Sequence, residues 1–254
     1  MKNTLRAALA IVAIGLLTVL LTVRADAPKT ETVSFPNGAG TVSGFLATPD
    51  KPGRYPALVV VHEWWGLTDW VKGQTQKLAE QGYIALAPDL YRGQVTSDPE
   101  VAHELMRGLP ADRALSDLKA AFAYLATRKD VDRGHIGSIG WCMGGGFSLQ
   151  LAIHEPHLAA CVVNYGALAT DPNDLQQIVA PILGNFGADD RGITPADVQA
   201  FETTMRSMNR RVDLKEYDGA GHGFENSTNT TGYRPDSAAD AWARTVAFLN
   251  RALH

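Results

Sequence analysis

The chain has 254 residues, 45% of them apolar, which is enough to bury the core of one large domain. Lys and Arg number 23 against 27 Asp and Glu, a formal net charge of −4 with both signs dispersed, so nucleic acid is not an expected partner. The two cysteines, Cys142 and Cys161, exclude a disulfide scaffold.

Lys2 and Arg6 precede an apolar run from Ala7 to Val23, which ends in Arg24-Ala25-Asp26-Ala27-Pro28. A basic start, an apolar stretch and small residues make residues 1–27 a secretory signal, with Val23-Arg24-Ala25 as the favoured recognition triplet. As a helix the run would span roughly 26 Å, short of a hydrocarbon core of ~30 Å, so an uncleaved membrane anchor over 7–23 is the alternative. Export predicts a periplasmic or secreted protein in an oxidising compartment. Contact with a membrane is expected only through this segment. Residues 28–254 are expected to form a single domain.

Glu31–Phe35 and Thr41–Ala47 read as strands joined through Asn37-Gly38, a hairpin signal. Pro56–His62 is a continuous apolar run, the pattern of a strand buried on both faces. Asp69 is placed to cap a helix that reaches Gln81 and is closed by Gly82. Tyr83–Ala87 predicts another buried strand, followed by helices over Asp98–Arg107 and Ala111–Arg128. Ile136–Gly140 predicts a strand and Met143–His154 a helix. Ala159–Asn164, Pro181–Gly187 and Val212–Tyr217 follow as strands, with Pro195–Met208 and Pro235–Ala252 as helices. This alternation makes the fold class α/β: a mostly parallel sheet, helices on both faces and an antiparallel hairpin at one edge. Ligands of such sheets bind beyond the carboxyl ends of the strands.

Three such strand ends carry chemistry. Gly140-Trp141-Cys142-Met143-Gly144 lies between a strand and a helix, the nucleophile-elbow pattern with sulfur in place of a hydroxyl. A thiol there sits at a helix N-terminus, where the dipole favours the thiolate. Cysteine is also a common buried residue, so its partners decide the reading. Pro181–Gly187 runs into Ala188-Asp189-Asp190, either aspartate being within reach as an orienting acid. His222 follows the last strand in Gly219-Ala220-Gly221-His222-Gly223, a setting that none of the other histidines has. Nucleophile, acid and base in that order are the arrangement of an α/β-hydrolase. After the first buried strand, the loop His62-Glu63-Trp64-Trp65-Gly66 is expected to supply one oxyanion N–H, with Met143 supplying the other.

His62–Gly66, Ala87-Pro-Asp-Leu-Tyr91, Gly140–Gly145 and Gly221-His-Gly-Phe224 closely resemble the dienelactone hydrolase (carboxymethylenebutenolidase) family, a likeness that runs from Glu31 onward. The resemblance implies a compact α/β-hydrolase without a cofactor or metal, acting on a small ester or lactone, and expected to be a monomer. It assigns Cys142 as nucleophile, His222 as base and Asp190, in Gly187-Ala-Asp-Asp190, as the acid that orients it. It implies that Glu63 touches the thiol and gates its ionisation, and that the second oxyanion donor is the Trp64 N–H. Trp65, Tyr91, Arg92 and Trp141 are the expected substrate-binding residues. The segment Asp98–Leu109 resembles the one that covers the pocket in this fold. Two positions depart from the family: Asn226 stands where an arginine binds the substrate carboxylate, and Arg92 follows Tyr91 directly instead of after one residue.

Two further functions compete with hydrolysis. A silent binding protein on the same fold would be expected to have lost one of the three residues, and none is lost. Thiol exchange at Cys142 would need a resolving thiol, and Cys161 is expected inside a buried strand. The sequons Asn226-Ser-Thr and Asn229-Thr-Thr lie so close to His222 that both asparagines are read as polar loop residues.

Overall fold

The structure, a computed structural model, describes residues 27–38 and 40–254. The segment read as a leader lies outside them but for Ala27. Eight strands, β1 (Lys29–Asn37), β2 (Gly40–Thr48), β3 (Tyr55–Val61), β4 (Ile84–Pro88), β5 (Val131–Trp141), β6 (Ala160–Asn164), β7 (Ile182–Gly187) and β8 (Val212–Tyr217), form one sheet. Their order is β1-β2-β4-β3-β5-β6-β7-β8. β1 pairs with β2 and β2 with β4 in antiparallel fashion, and every later pair is parallel, so the expected edge hairpin and parallel body are both present.

Among the described residues seven helices accompany them: α1 (Asp69–Glu80), α2 (Pro99–Arg107), α3 (Ala111–Thr127), α4 (Met143–His154), α5 (Pro172–Leu175), α6 (Pro195–Ser207) and α7 (Pro235–Leu253). Successive residues of β3 point to opposite faces, so Val59 and Val61 join one apolar cluster while Leu58 and Val60 join the other. The first cluster takes Leu118 of α3, Leu149 of α4 and Phe201 of α6; the second takes Leu78 of α1 and Leu249 of α7. Burial on both faces is why these strands read as unbroken apolar runs.

Some element ends differ from expectation. β5 starts at Val131, because Tyr55 pairs with Val131 before a register shift lets Ala57 pair with Ile136. The polar residues of that first half hid the strand. Helix α1 is capped by Thr68, whose hydroxyl accepts from the Val71 N–H at 3.4 Å, and Asp69 is its first residue. The one-turn α5 carries no periodic signal and was not expected. No helix among the described residues is long and apolar enough to cross a membrane.

Candidate active site

The turn out of β5 is sharp. Cys142 has φ 55° and ψ −121°, a conformation that an L-residue adopts only under constraint. A side chain at Gly144 would strike the carbonyl oxygen of Val61 and come within 2.5 Å of that of His62. Absence of that side chain lets the start of α4 rest on the end of β3, bringing Cys142 beside Glu63 and Trp64. Both cysteines are free thiols, and Cys161 lies buried in β6 against Ser148, where burial lifts it to about 11. That is the site of an inert thiol.

The strand ends are locked together by amides. Asn164 Nδ2 donates to the Gly140 carbonyl at 3.2 Å, and Asn185 Nδ2 donates to Asn164 Oδ1 at 2.8 Å. Beyond β7 and β8, the Asp189 N–H donates to the Ala220 carbonyl at 2.9 Å, so the two following loops advance side by side. The result is that Asp190, and not the exposed Asp189, meets His222: Asp190 Oδ2 lies 2.7 Å from His222 Nδ1. Asp190 Oδ1 accepts from the N–H groups of Gly192 at 2.8 Å and Ile193 at 3.1 Å. Burial opposes its charge, but the hydrogen bonds from His222 and these two amides hold Asp190 below the usual carboxylate range. His222 is likewise penalised by burial, yet its hydrogen bonds to Asp190 and Cys142, and the charges of both, lift it to about 10.

Cys142 and His222 open into one cavity of about 730 Å³, which Glu63, Trp64, Trp65, Trp70, Asn226 and, from α2, Met106 also line. Thr96 and Ser97 belong to the wall too, while of the expected covering segment Asp98–Leu109 only Met106 does. Glu63 is buried; the Tyr165 hydroxyl donates to its Oε1 at 3.4 Å and Asn226 Nδ2 donates to its Oε2 at 2.5 Å. Its hydrogen bonds therefore go to these two groups and not to the thiol. Burial raises Glu63 to about 7, against the pull of Asn226, the His222 charge and Tyr165. Both sequon asparagines are tied down, Asn229 Nδ2 lying 3.4 Å from the His222 carbonyl oxygen, which fits their reading as loop polar groups. Met143 heads α4 directly after Cys142, and Trp64 follows Glu63 on the cavity wall, edge-on to His103 with centroids 4.7 Å apart.

Of the four expected substrate-binding residues, only Trp65 lines this cavity. Tyr91 is buried, its hydroxyl 3.2 Å from the Met143 sulfur. Trp141 is buried at 1% exposure, and its Nε1 donates to Glu225 Oε2 at 3.1 Å. Arg92 is drawn away by Asp117 of α3, to which its Nη2 donates at 2.8 Å on each oxygen. A wholly buried carboxylate outcompetes a solvent-lined cavity for the guanidinium.

Three participants escaped the sequence reading. Tyr165 (φ 38°) is buried at the end of β6, edge-on to His222 with centroids 5.2 Å apart; an aromatic residue followed by glycine after a strand was its only trace. His62 is buried and neutral: its Nδ1 donates to the Glu63 carbonyl at 2.6 Å while Nε2 accepts from the Leu90 N–H at 3.2 Å, fixing the loop that carries Trp64. Glu225 adjoins the His222 loop with its Oε1 buried and without a partner; burial lifts it to about 8. Among the described residues, no cluster of His, Cys, Asp and Glu could hold a metal ion.

A sheet in this order, whose fifth strand turns through a strained cysteine into a glycine-rich helix, is that of an α/β-hydrolase. A solved structure of a provisionally named dienelactone hydrolase from Klebsiella pneumoniae superposes with a TM-score of 0.81 at 28% identity, over 89% of this chain and 99% of that one. The chain belongs to the dienelactone hydrolase family, whose model matches residues 42–253. It is therefore a hydrolase. A provisionally named carboxymethylenebutenolidase of Methylorubrum extorquens is 31% identical over 84% of this chain and 77% of its own length. One of Synechocystis is 30% identical over 85% of this chain and 94% of its own length.

Proposed function

We propose that the protein hydrolyses small carboxylic esters or lactones through a thioester on Cys142. The observation that carries this reading is the hydrogen bond between buried Asp190 and His222, whose ring lines the same cavity as the strained Cys142. An imidazole lifted to about 10 makes His222 a strong base for the proton of the Cys142 sulfur. The thiolate adds to the ester carbonyl carbon, and the developing oxyanion is met by the N–H groups of Met143 and Trp64. As the tetrahedral intermediate collapses, the C–O bond breaks and the departing alkoxide takes the proton from His222. The neutral imidazole then removes a proton from water, whose oxygen attacks the thioester. Collapse releases the carboxylic acid and the Cys142 thiolate, and His222 is again protonated. Asp190 orients the ring and supports its charge throughout.

Glu63, at about 7 and held by Asn226, is placed to hand its charge toward the thiol when a ligand displaces that amide. The N-terminal run is read as an export signal, with function in the periplasm or outside the cell. The mature protein acts as a monomer.

The test is hydrolysis of 4-nitrophenyl acetate and butyrate by wild type and Cys142→Ala. Loss of the sulfur lowers kcat/KM by at least ~10³-fold, as for removal of a covalent nucleophile. An unchanged rate in Cys142→Ala overturns the mechanism.

A further inference from the structure

We propose that this cavity takes largely apolar esters and rejects those that carry a carboxylate, a refinement that rests on the hydrolase reading. Three indoles, Trp64, Trp65 and Trp70, and the Met106 thioether supply the apolar wall. None of the lining residues is a lysine or arginine. The acidic side chains that do line it are Glu63 and Asp69, and the remaining polar groups include hydroxyls and amides.

The one lining cation is the His222 imidazolium, and its charge is already answered by Asp190 at 2.7 Å and by the Cys142 sulfur. Three cations outside the cavity lining are engaged elsewhere. Lys72 lies 3.4 Å from Asp69 at the rim. Arg92 makes its two contacts with buried Asp117, and Arg113 Nη1 donates to the Leu90 carbonyl at 3.1 Å. Asn226, also in the lining, gives one of its two amide hydrogens to Glu63. A carboxylate entering here would leave water without gaining a charge-assisted partner, and would face Glu63 across an apolar wall. Desolvation without pairing is unfavourable for an ion, whereas a neutral ring or alkyl chain gains contact with the indoles.

The probes are three 4-nitrophenyl esters of equal acyl length: the hexanoate (neutral), the mono-adipate (anionic) and the 6-aminohexanoate (cationic), each hydrolysed at pH 8. Two unpaired like charges within a cavity of this size predict that kcat/KM for the adipate falls below the hexanoate by roughly tenfold to a hundredfold. The aminohexanoate should stay close to the hexanoate. In parallel, tryptophan fluorescence of Cys142→Ala is titrated with phenylacetamide and with phenylacetate, a pair that reports binding whether or not turnover occurs. Tighter binding of the amide supports the proposal. Equal or faster hydrolysis of the adipate, equal or tighter binding of phenylacetate, or no fluorescence response to either, overturns it. Loss of all ester hydrolysis with the binding preference intact would count against the thioester mechanism and still support the charge selection.

Discussion

At the scale of single residues, the site is governed by which carboxyl groups keep a proton. Asp190 is fully supplied with donors and stays ionised, so it can hold His222 as an imidazolium. Replacing that charge by an amide in Asp190→Asn should lower kcat by about 10²- to 10⁴-fold with a small change in KM, since the imidazole loses its orientation and its support together. Steady-state kinetics check this. Glu225 is the opposite case, a carboxyl enclosed beside Trp141 and lifted to about 8 from its ordinary 4.5. In the folded state it binds its proton more tightly than in the unfolded chain. Its stabilising effect is therefore complete below about pH 4.5 and is lost as the pH climbs through 8, because ∂ΔG/∂pH is negative when the native state holds more protons. Glu225→Gln, which keeps an acceptor for Trp141, should raise Tm at pH 9 relative to wild type and change it little at pH 5. Thermal unfolding at the two pH values decides it.

At the scale of elements, the connections that matter are made far from the cavity. Asp117 on α3 is wholly buried and receives Arg92, from the loop after β4, and Asn37 Nδ2, at the end of β1, at 2.7 Å. Three separate elements meet on one carboxylate. Arg92 occupies left-handed backbone (φ 56°) in a turn that Asp89 organises by accepting from the Tyr91 N–H at 3.0 Å. Removing one member of a fully buried pair costs ~3–5 kcal/mol; the Arg92 side chain is 39% exposed, so Asp117→Ala should cost about 2–3 kcal/mol. Urea unfolding measures this, and activity per folded molecule is expected to persist because the pair lies outside the cavity wall. A guanidinium read as a substrate contact thus becomes a clamp between β4, α3 and the edge hairpin.

At the scale of the whole molecule, two apolar layers sandwich a sheet whose carboxyl edge gathers residues far apart in the chain. Strand order brings β5, β6, β7 and β8 into successive neighbours, so loops that begin at 142, 165, 188 and 218 share one rim. If the proposed export takes place, mass spectrometry of protein from a periplasmic fraction should give a mature N-terminus at Asp26. Recovery of only the full-length chain from membranes would point to the anchor instead.

How much could be read in advance follows from what is local. Buried parallel strands and capped helices announce themselves through short-range patterns, and so β3, β4 and α4 were legible to within a residue or two. The first half of β5, with Asp132, Arg133 and Gly134, was not, because its pairing is set by Tyr55 and not by its own composition. The chain's own residues named Cys142 and His222, left Asp189 and Asp190 open, and supplied the strained turn through Gly140 and Gly144. Tertiary structure alone decided that Asp190 turns toward His222, that Tyr165 and Asn226 hold Glu63, and that Arg92 and Trp141 turn inward. Turn chemistry and burial pattern act over a few neighbours and are written in order along the chain. Side-chain partners are chosen by competition among groups that only folding brings within a few ångströms, where a buried charge takes whichever counter-charge the packing delivers.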